Sequence, residues 1–255
     1  PPRRAPTGRA VCAADSMRQY STHGYGATVA DAVFLNEAIL GLVDRLEAEV
    51  WVSPSSGWCG FDSLAAMYNE LFDPDDAWTA GDVRAQIGQL YSKHIDSLLA
   101  FQSKYRLLPQ GKVRRDEEKA LRFRGDAHKK SIRETDTLSP AFWLNAVDIK
   151  AFAIEHGLNV FVVSTEESQV VDGEHVAKVT VLKYLSTASP PGLISIELEK
   201  IGMACSARGE AVVAEEDIVL IYNGSHYNAL SWRREDEDGE GHEEDHFDDD
   251  FGDAD

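Results

Sequence analysis

Two short stretches carry residues able to do chemistry together. The first is Pro54-Ser55-Ser56-Gly57-Trp58-Cys59-Gly60-Phe61-Asp62-Ser63-Leu64, where a Pro/Ser/Gly turn runs into an apolar, helix-periodic segment. Cys59 stands where that helix begins. A helix start presents unpaired N–H groups and the positive end of the macrodipole. That field favours a thiolate over a thiol, the form a nucleophilic cysteine needs. Gly57 and Gly60 leave the backbone open to close approach by a substrate. A cysteine in this setting is also what a small buried hydrophobe looks like, so Cys59 alone decides nothing.

A cysteine nucleophile needs an imidazole to take its proton and a third group to orient that imidazole. The chain has eight histidines. His23 lies near the N-terminus, and His242 and His246 lie among acids at the C-terminus. His94, His128, His156 and His175 sit in charged or polar surroundings and read as solvated. His226 differs. An apolar run, Ile218–Tyr222, ends in Asn223-Gly224-Ser225, and His226 opens the next run with Asn228 two residues on. Side chains at i and i+2 of a strand project from one face. Asn228 can therefore reach the His226 ring and fix its tautomer. A hairpin with two polar residues on a wet face is the bland alternative.

The elements that must position these residues follow from periodicity. Leu35, Ile39, Leu42, Val43 and Leu46 predict an amphipathic helix within 29–49, followed by a short extended segment at Val50–Val52. Phe61, Leu64, Ala65, Tyr68, Leu71 and Phe72 mark the buried side of the helix behind Cys59. A further helix after Asp73-Pro74-Asp75-Asp76 carries Val83, Ile87, Leu90, Tyr91, Ile95, Leu98 and Leu99. Residues 104–133 are rich in alternating charge, which suits an exposed helix and loop laced by i, i+4 pairs, or else a mobile element over a groove. Asn145 with Asp148 three residues later predicts a capped helix start, and Gly157 its end. Branched residues then predict strands at 158–164, 176–185, 193–198, 218–222 and 227–232. Helices first and strands later indicate an α+β domain with a sheet flanked by helices.

Composition sets outer bounds. The 255 residues, 43% hydrophobic, are enough for one domain with a sizeable core. We divide the chain into a flexible arm over 1–27, a folded domain over 28–233 and an acidic, disordered tail over 234–255. The formal net charge of −19 argues against a nucleic-acid binder. Glu235–Asp255 holds 13 acids and no Lys or Arg, so without it the charge is near −6. Cys12, Cys59 and Cys205 are too few for a disulfide framework, and no C-x-x-C pair suggests zinc. This usage fits a reducing, cytoplasmic compartment. No apolar run reaches transmembrane length, so no membrane partner is expected. The chain begins Pro1-Pro2-Arg3-Arg4 and is read as a piece of a longer polypeptide.

Gly57-Trp58-Cys59-Gly60-Phe61-Asp62-Ser63-Leu64 resembles the G-x-C-x-F-x-S-L signature of the ovarian-tumour (OTU) cysteine proteases. His226-Tyr227-Asn228-Ala229-Leu230 resembles their H-Y-N block. Phe142–Ile149 and Gly157–Val163 are similar to the family's middle segment, a tryptophan before a helix that leads into a strand. The resemblance runs over about residues 45–232 and implies a papain-like OTU fold with a central, mostly antiparallel sheet. It implies a thiol isopeptidase that cuts between the C-terminal glycine of ubiquitin, or a ubiquitin-like modifier, and a lysine amine, with no metal or cofactor. Cys59, His226 and Asn228 would be catalytic. The backbone of Ser56, Gly57 and Trp58 would meet the oxyanion, and Trp58 and Tyr227 would wall the channel for the modifier's tail. One departure stands out: the family usually has Asp three residues before the cysteine, where this chain has Ser56. Two alternatives stay open, a polyprotein-processing protease of the same fold and an OTU-like binding module impaired in catalysis.

Overall fold

The computed structural model describes residues 9–11, 37–53, 57–105, 112–130, 137–171, 174–187, 193–198, 201–203 and 211–232. The acidic tail and the predicted helical residues before 37 lie outside them. Within the stretch expected to be a flexible arm, Arg9–Val11 forms a strand, β1. Then come α1 (Glu37–Arg45), β2 (Ala48–Val52), α2 (Cys59–Phe72), α3 (Ala80–Lys93), α4 (Ile95–Tyr105) and α5 (Lys112–Lys129). A 3-10 turn at Pro140–Phe142 leads into α6 (Ala146–His156). The remaining strands are β3 (Val160–Val171), β4 (Glu174–Tyr184), β5 (Leu193–Ile196), β6 (Ile201–Met203), β7 (Ala211–Val213), β8 (Ile218–Tyr222) and β9 (Tyr227–Trp232).

Seven strands form one sheet in the order β1-β2-β9-β8-β3-β4-β5, and β6 and β7 pair separately. Every neighbour in the large sheet is antiparallel except β3 and β8. This is the α+β architecture expected, with a mostly antiparallel sheet. Both faces of its centre are buried, which explains why β8 reads Ile-Val-Leu-Ile without polar alternation. Val160, Val162, Ile218, Leu220 and Ala229 face the core built with α2, α3, α4 and α6. Phe161, Val163, Val219, Ile221 and Leu230 face a second core closed by Ile39, Leu42 and Val43 of α1 and by Ile201 and Val213.

Three boundaries differ from the sequence reading, each for a local reason. The first helix does not continue to residue 49. Glu47 takes a positive φ of 51°, and Ala48–Trp51 pair with β9 instead. The helix predicted to run from 83 to 99 is two helices, broken at His94. At that corner Glu155 of α6 accepts from Lys93 Nζ at 2.7 Å and meets His94 Nε2 at 2.8 Å. By contrast, α6 starts and stops as predicted. Asn145 and Asp148 form a reciprocal capping box, and Gly157 leaves in the left-handed conformation.

Helix α5, the charge-rich segment, is not merely a solvated helix. Leu121, Gly125 and His128, at i, i+4 and i+7, turn a narrow stripe inward. Gly125 meets Gly88 of α3. A Cβ on Gly88 would stand 2.7 Å from the Gly125 carbonyl oxygen, and one on Gly125 would stand 2.7 Å from Tyr91 Cβ. Arg84, buried on α3, donates to the carbonyls of Ala127 and Lys130 and so caps the end of α5. The two helices therefore meet at backbone distance with no room to yield. Gly125→Ala is expected to destabilise the fold by about 1–3 kcal/mol, the usual cost of overpacking. Urea unfolding measures it, and an unchanged midpoint would mean that the two helices are not in contact.

Candidate active site

Cys59 is the first residue of α2, and its neighbours fix how it is presented. Gly57 holds φ at +78°, and a Cβ there would lie 2.8 Å from Trp143 Nε1, so only glycine fits. Trp58 caps the helix through its carbonyl, which accepts from the Asp62 N–H at 2.9 Å. A Cβ on Gly60 would fall 2.6 Å from Leu144 Cβ and 3.1 Å from Tyr227 Cδ2. The turn that bears the sulfur is thus pressed against residues 138–144 on one side and β9 on the other. Pro54–Ser56 lie outside the described residues, Ser56 of the expected oxyanion group among them.

On the other stretch, Asn223 Oδ1 accepts from the N–H groups of Ser225 and His226, at 3.0 and 2.8 Å, and closes the turn before β9. Tyr227 then donates its backbone N–H to Cys59 Sγ at 3.4 Å. His226, the preceding residue, has Nε2 at 3.2 Å from Asn228 Oδ1. The same Oδ1 accepts the backbone N–H of Ser53 at 3.1 Å, which identifies it as the amide oxygen. An amide oxygen only accepts, so His226 must donate from Nε2. In the neutral ring that leaves Nδ1 as the basic nitrogen. At the junction of α2 and β9, Cys59 is thus bonded to the residue that follows His226, and His226 to Asn228.

Ser53 was not singled out from the sequence. Its Oγ donates to the carbonyl of Tyr227 and lies 3.4 Å from His226 Nε2. The only signal was indirect. Val50 and Trp51 pair with Leu230 and Ala229, and extending that register sets Ser53 across from Tyr227.

A cleft of about 250 Å³ adjoins the sulfur, with Gly57, Cys59, Gly60, Trp143, Leu144 and Tyr227 among its lining. Tyr227 lines this cleft, its ring stacked 4.4 Å from that of Tyr222. Trp58 does not. It is 1% exposed, turned inward with its ring edge-on to Phe61 at 6.2 Å and beneath the Arg84 guanidinium at 5.6 Å. It packs the core beneath the start of α2 rather than lining the cleft. His128 and His156 are corrections too. His128 is fully buried with Nε2 at 3.2 Å from Asp148. His156 is half-buried against Phe152 at 4.3 Å, and its Nε2 meets Gln86. Among the described residues, no three metal-binding side chains gather to hold an ion, and no helix is long and apolar enough to cross a membrane.

The sulfur's protonation departs from the expectation of a preformed thiolate. Cys59 is 4% exposed. Burial pushes its thiol up to about 11, against the pull of the N–H groups of Tyr227 and Gly60 and with a smaller push from Asp62. Loss of water around the charged form outweighs the helix start. The folded state thus keeps a proton that the unfolded chain releases above about pH 8.5. That contribution to stability is complete below pH 8.5 and is lost as pH rises through about 11. With Cys12 and Cys205 replaced by serine, iodoacetamide should alkylate Cys59 of the unliganded protein with a midpoint far above the ordinary thiol value of about 8.5. A midpoint below 8 would show a preformed thiolate.

No family model matches this chain, and no curated protein does. Solved structures at low identity are similar over part of the chain. One is an OTU deubiquitinase from Wolbachia pipientis wMel, at 13% identity and TM-score 0.44, covering 73% of this chain and 90% of that one. A structure of an OTU deubiquitinase from wMel bound to ubiquitin matches at 13% identity and TM-score 0.42, with 73% and 97% covered. The viral OTU domain protease of Farallon virus matches at 12% identity and TM-score 0.38, with 72% and 83% covered.

Proposed function

We propose that this chain is a thiol isopeptidase that hydrolyses the bond between the C-terminal glycine of ubiquitin, or a ubiquitin-like modifier, and a lysine amine. The observation that carries the reading is the joint placement of Cys59 Sγ on the Tyr227 N–H and of His226 Nε2 on Asn228. The two motifs that resemble the OTU signature supply these same residues. A narrow cleft with two glycines on its wall suits an extended tail that lacks side chains.

Because the buried thiol keeps its proton, the route is general-base catalysis rather than attack by a standing thiolate. His226 Nδ1 takes the Cys59 proton as Sγ bonds to the glycine carbonyl carbon. Backbone N–H groups of the turn that ends at Cys59 face the oxygen that gains charge. The imidazolium then gives its proton to the departing lysine amine, leaving a thioester. Water, its proton taken by His226, splits the thioester and restores the thiol. Asn228 carries no charge, so it orients the ring and steadies the imidazolium through its amide dipole alone.

One observation favours a second reading. A sulfur 4% exposed with its thiol pushed up to about 11 also fits an OTU-like module that binds a modifier without cutting it. Ubiquitin bearing a C-terminal electrophile separates the two. The enzyme should add one ubiquitin at Cys59, and none in Cys59→Ala. Replacing the base, His226→Ala, should slow the addition by about 10²–10⁴-fold. Binding without any adduct would favour the module, and neither binding nor adduct, with ubiquitin or its relatives, would dismiss both readings.

A further inference from the structure

The wall of the cleft opposite α2 is a loop, and one side chain from α5 holds it. Residues 140–144 have few bonds of their own: Phe142 N–H to Ser139, Trp143 N–H to Pro140, and the Trp143 indole to the Leu138 carbonyl. Arg124 supplies the rest. Its Nη1 donates to the Ala141 carbonyl at 2.7 Å and its Nη2 to the Trp143 carbonyl at 2.6 Å. Its Nε and Nη2 grip Asp148, the capping residue of α6. Asp148 is fully buried and also accepts from Tyr91 Oη at 2.6 Å, His128 Nε2 at 3.2 Å and the Asn145 N–H at 2.9 Å. A single guanidinium thus ties two loop carbonyls to a carboxylate that three helices share. Its planar fork is what allows this, and an ammonium could not reproduce it.

At the second held carbonyl and just beyond it lies the part of the wall that touches the turn bearing Cys59. Trp143 blocks a Cβ at Gly57, and Leu144 blocks one at Gly60. Neither contact has slack, so a small shift of the loop changes both the width of the cleft and the cover over Cys59.

We propose that Arg124 is a positioning residue of this site: by tying the Ala141 and Trp143 carbonyls to Asp148, it sets the width of the channel and keeps Cys59 covered until a substrate tail enters. Arg124 also lines the cleft, but its hold on the loop acts through Trp143 and Leu144. The loop held at one width excludes small reagents from the sulfur and presents the tail to it. Loosening the loop should therefore move two rates in opposite directions in protein that circular dichroism shows to be still folded, where a loss of adduct of about 10²-fold cannot come from a small unfolded fraction.

The test uses the full chain with Cys12 and Cys205 changed to serine. Arg124→Lys is expected to slow adduct formation with the ubiquitin electrophile by about 10²-fold, the scale of a small misplacement at a reacting centre. The same change should speed alkylation of Cys59 by iodoacetamide about tenfold, the scale of a lost bond to a buried charge. Tyr91→Phe keeps the packing and removes one bond to Asp148, so it should give the same opposed shifts at about two- to fivefold. Rates that stay unchanged, or that move together, in both variants would overturn the proposal. The ubiquitin arm rests on the function proposed above; the iodoacetamide arm does not. If the parent protein forms no adduct, that reading fails, and the alkylation ratio alone decides the role of Arg124.

Discussion

A bond from the Tyr227 backbone to the Cys59 sulfur joins the start of α2 to the start of β9, and the rest of the site depends on it. It ties Cys59 to the residue that follows His226 in the chain. The β2–β9 pairing then finishes the arrangement. Ser53, at the end of β2, gives its N–H to Asn228 and its hydroxyl to the Tyr227 carbonyl, and both hold the ring of His226 in register. Ser53 and Cys59, close in sequence, meet the distant stretch His226–Asn228 because the sheet sets β2 beside β9.

The same closeness governs the chemistry. Packing that presses Gly57 and Gly60 against Trp143 and Leu144 removes water from the sulfur, and dehydration holds it as a thiol. Under the function proposed above, a base that acts during attack suits such a sulfur better than a standing ion pair. On the far side of the cleft, a buried carboxylate does the holding. Burial alone would raise the Asp148 pKa, yet hydrogen bonds from His128 and Arg124 bring it down to about 2. Its charge is therefore kept at any ordinary pH, and the loop opposite Cys59 stays tied to a fixed anion.

The parts of this molecule that were legible in the sequence are those written locally. Cys59 and His226 stand in short motifs, Asn228 follows from the two-residue repeat of a strand, and the caps of α6 are spelled out by Asn145, Asp148 and Gly157. What was hidden depends on partners distant in the chain. Ser53 matters only through the register of β2 on β9. His128 and Arg124 sit in a helix so charged that it reads as solvated, and its inward stripe of Leu121, Gly125 and His128 contains one aliphatic side chain. Trp58 faces the core because of how α2 is rotated, which composition does not encode. The helix start was visible, but the burial that reverses its effect on the thiol was not.

The central claim is that Asn228 holds His226 as the tautomer that bears its proton on Nε2 and leaves Nδ1 basic. Nitrogen-15 NMR of the His226 ring in the unliganded protein, above the pH at which the ring is charged, measures this directly. The account predicts a protonated Nε2 and a bare Nδ1, with the preference lost in Asn228→Ala. A proton found on Nδ1 instead, or a ring indifferent to the loss of Asn228, would contradict it.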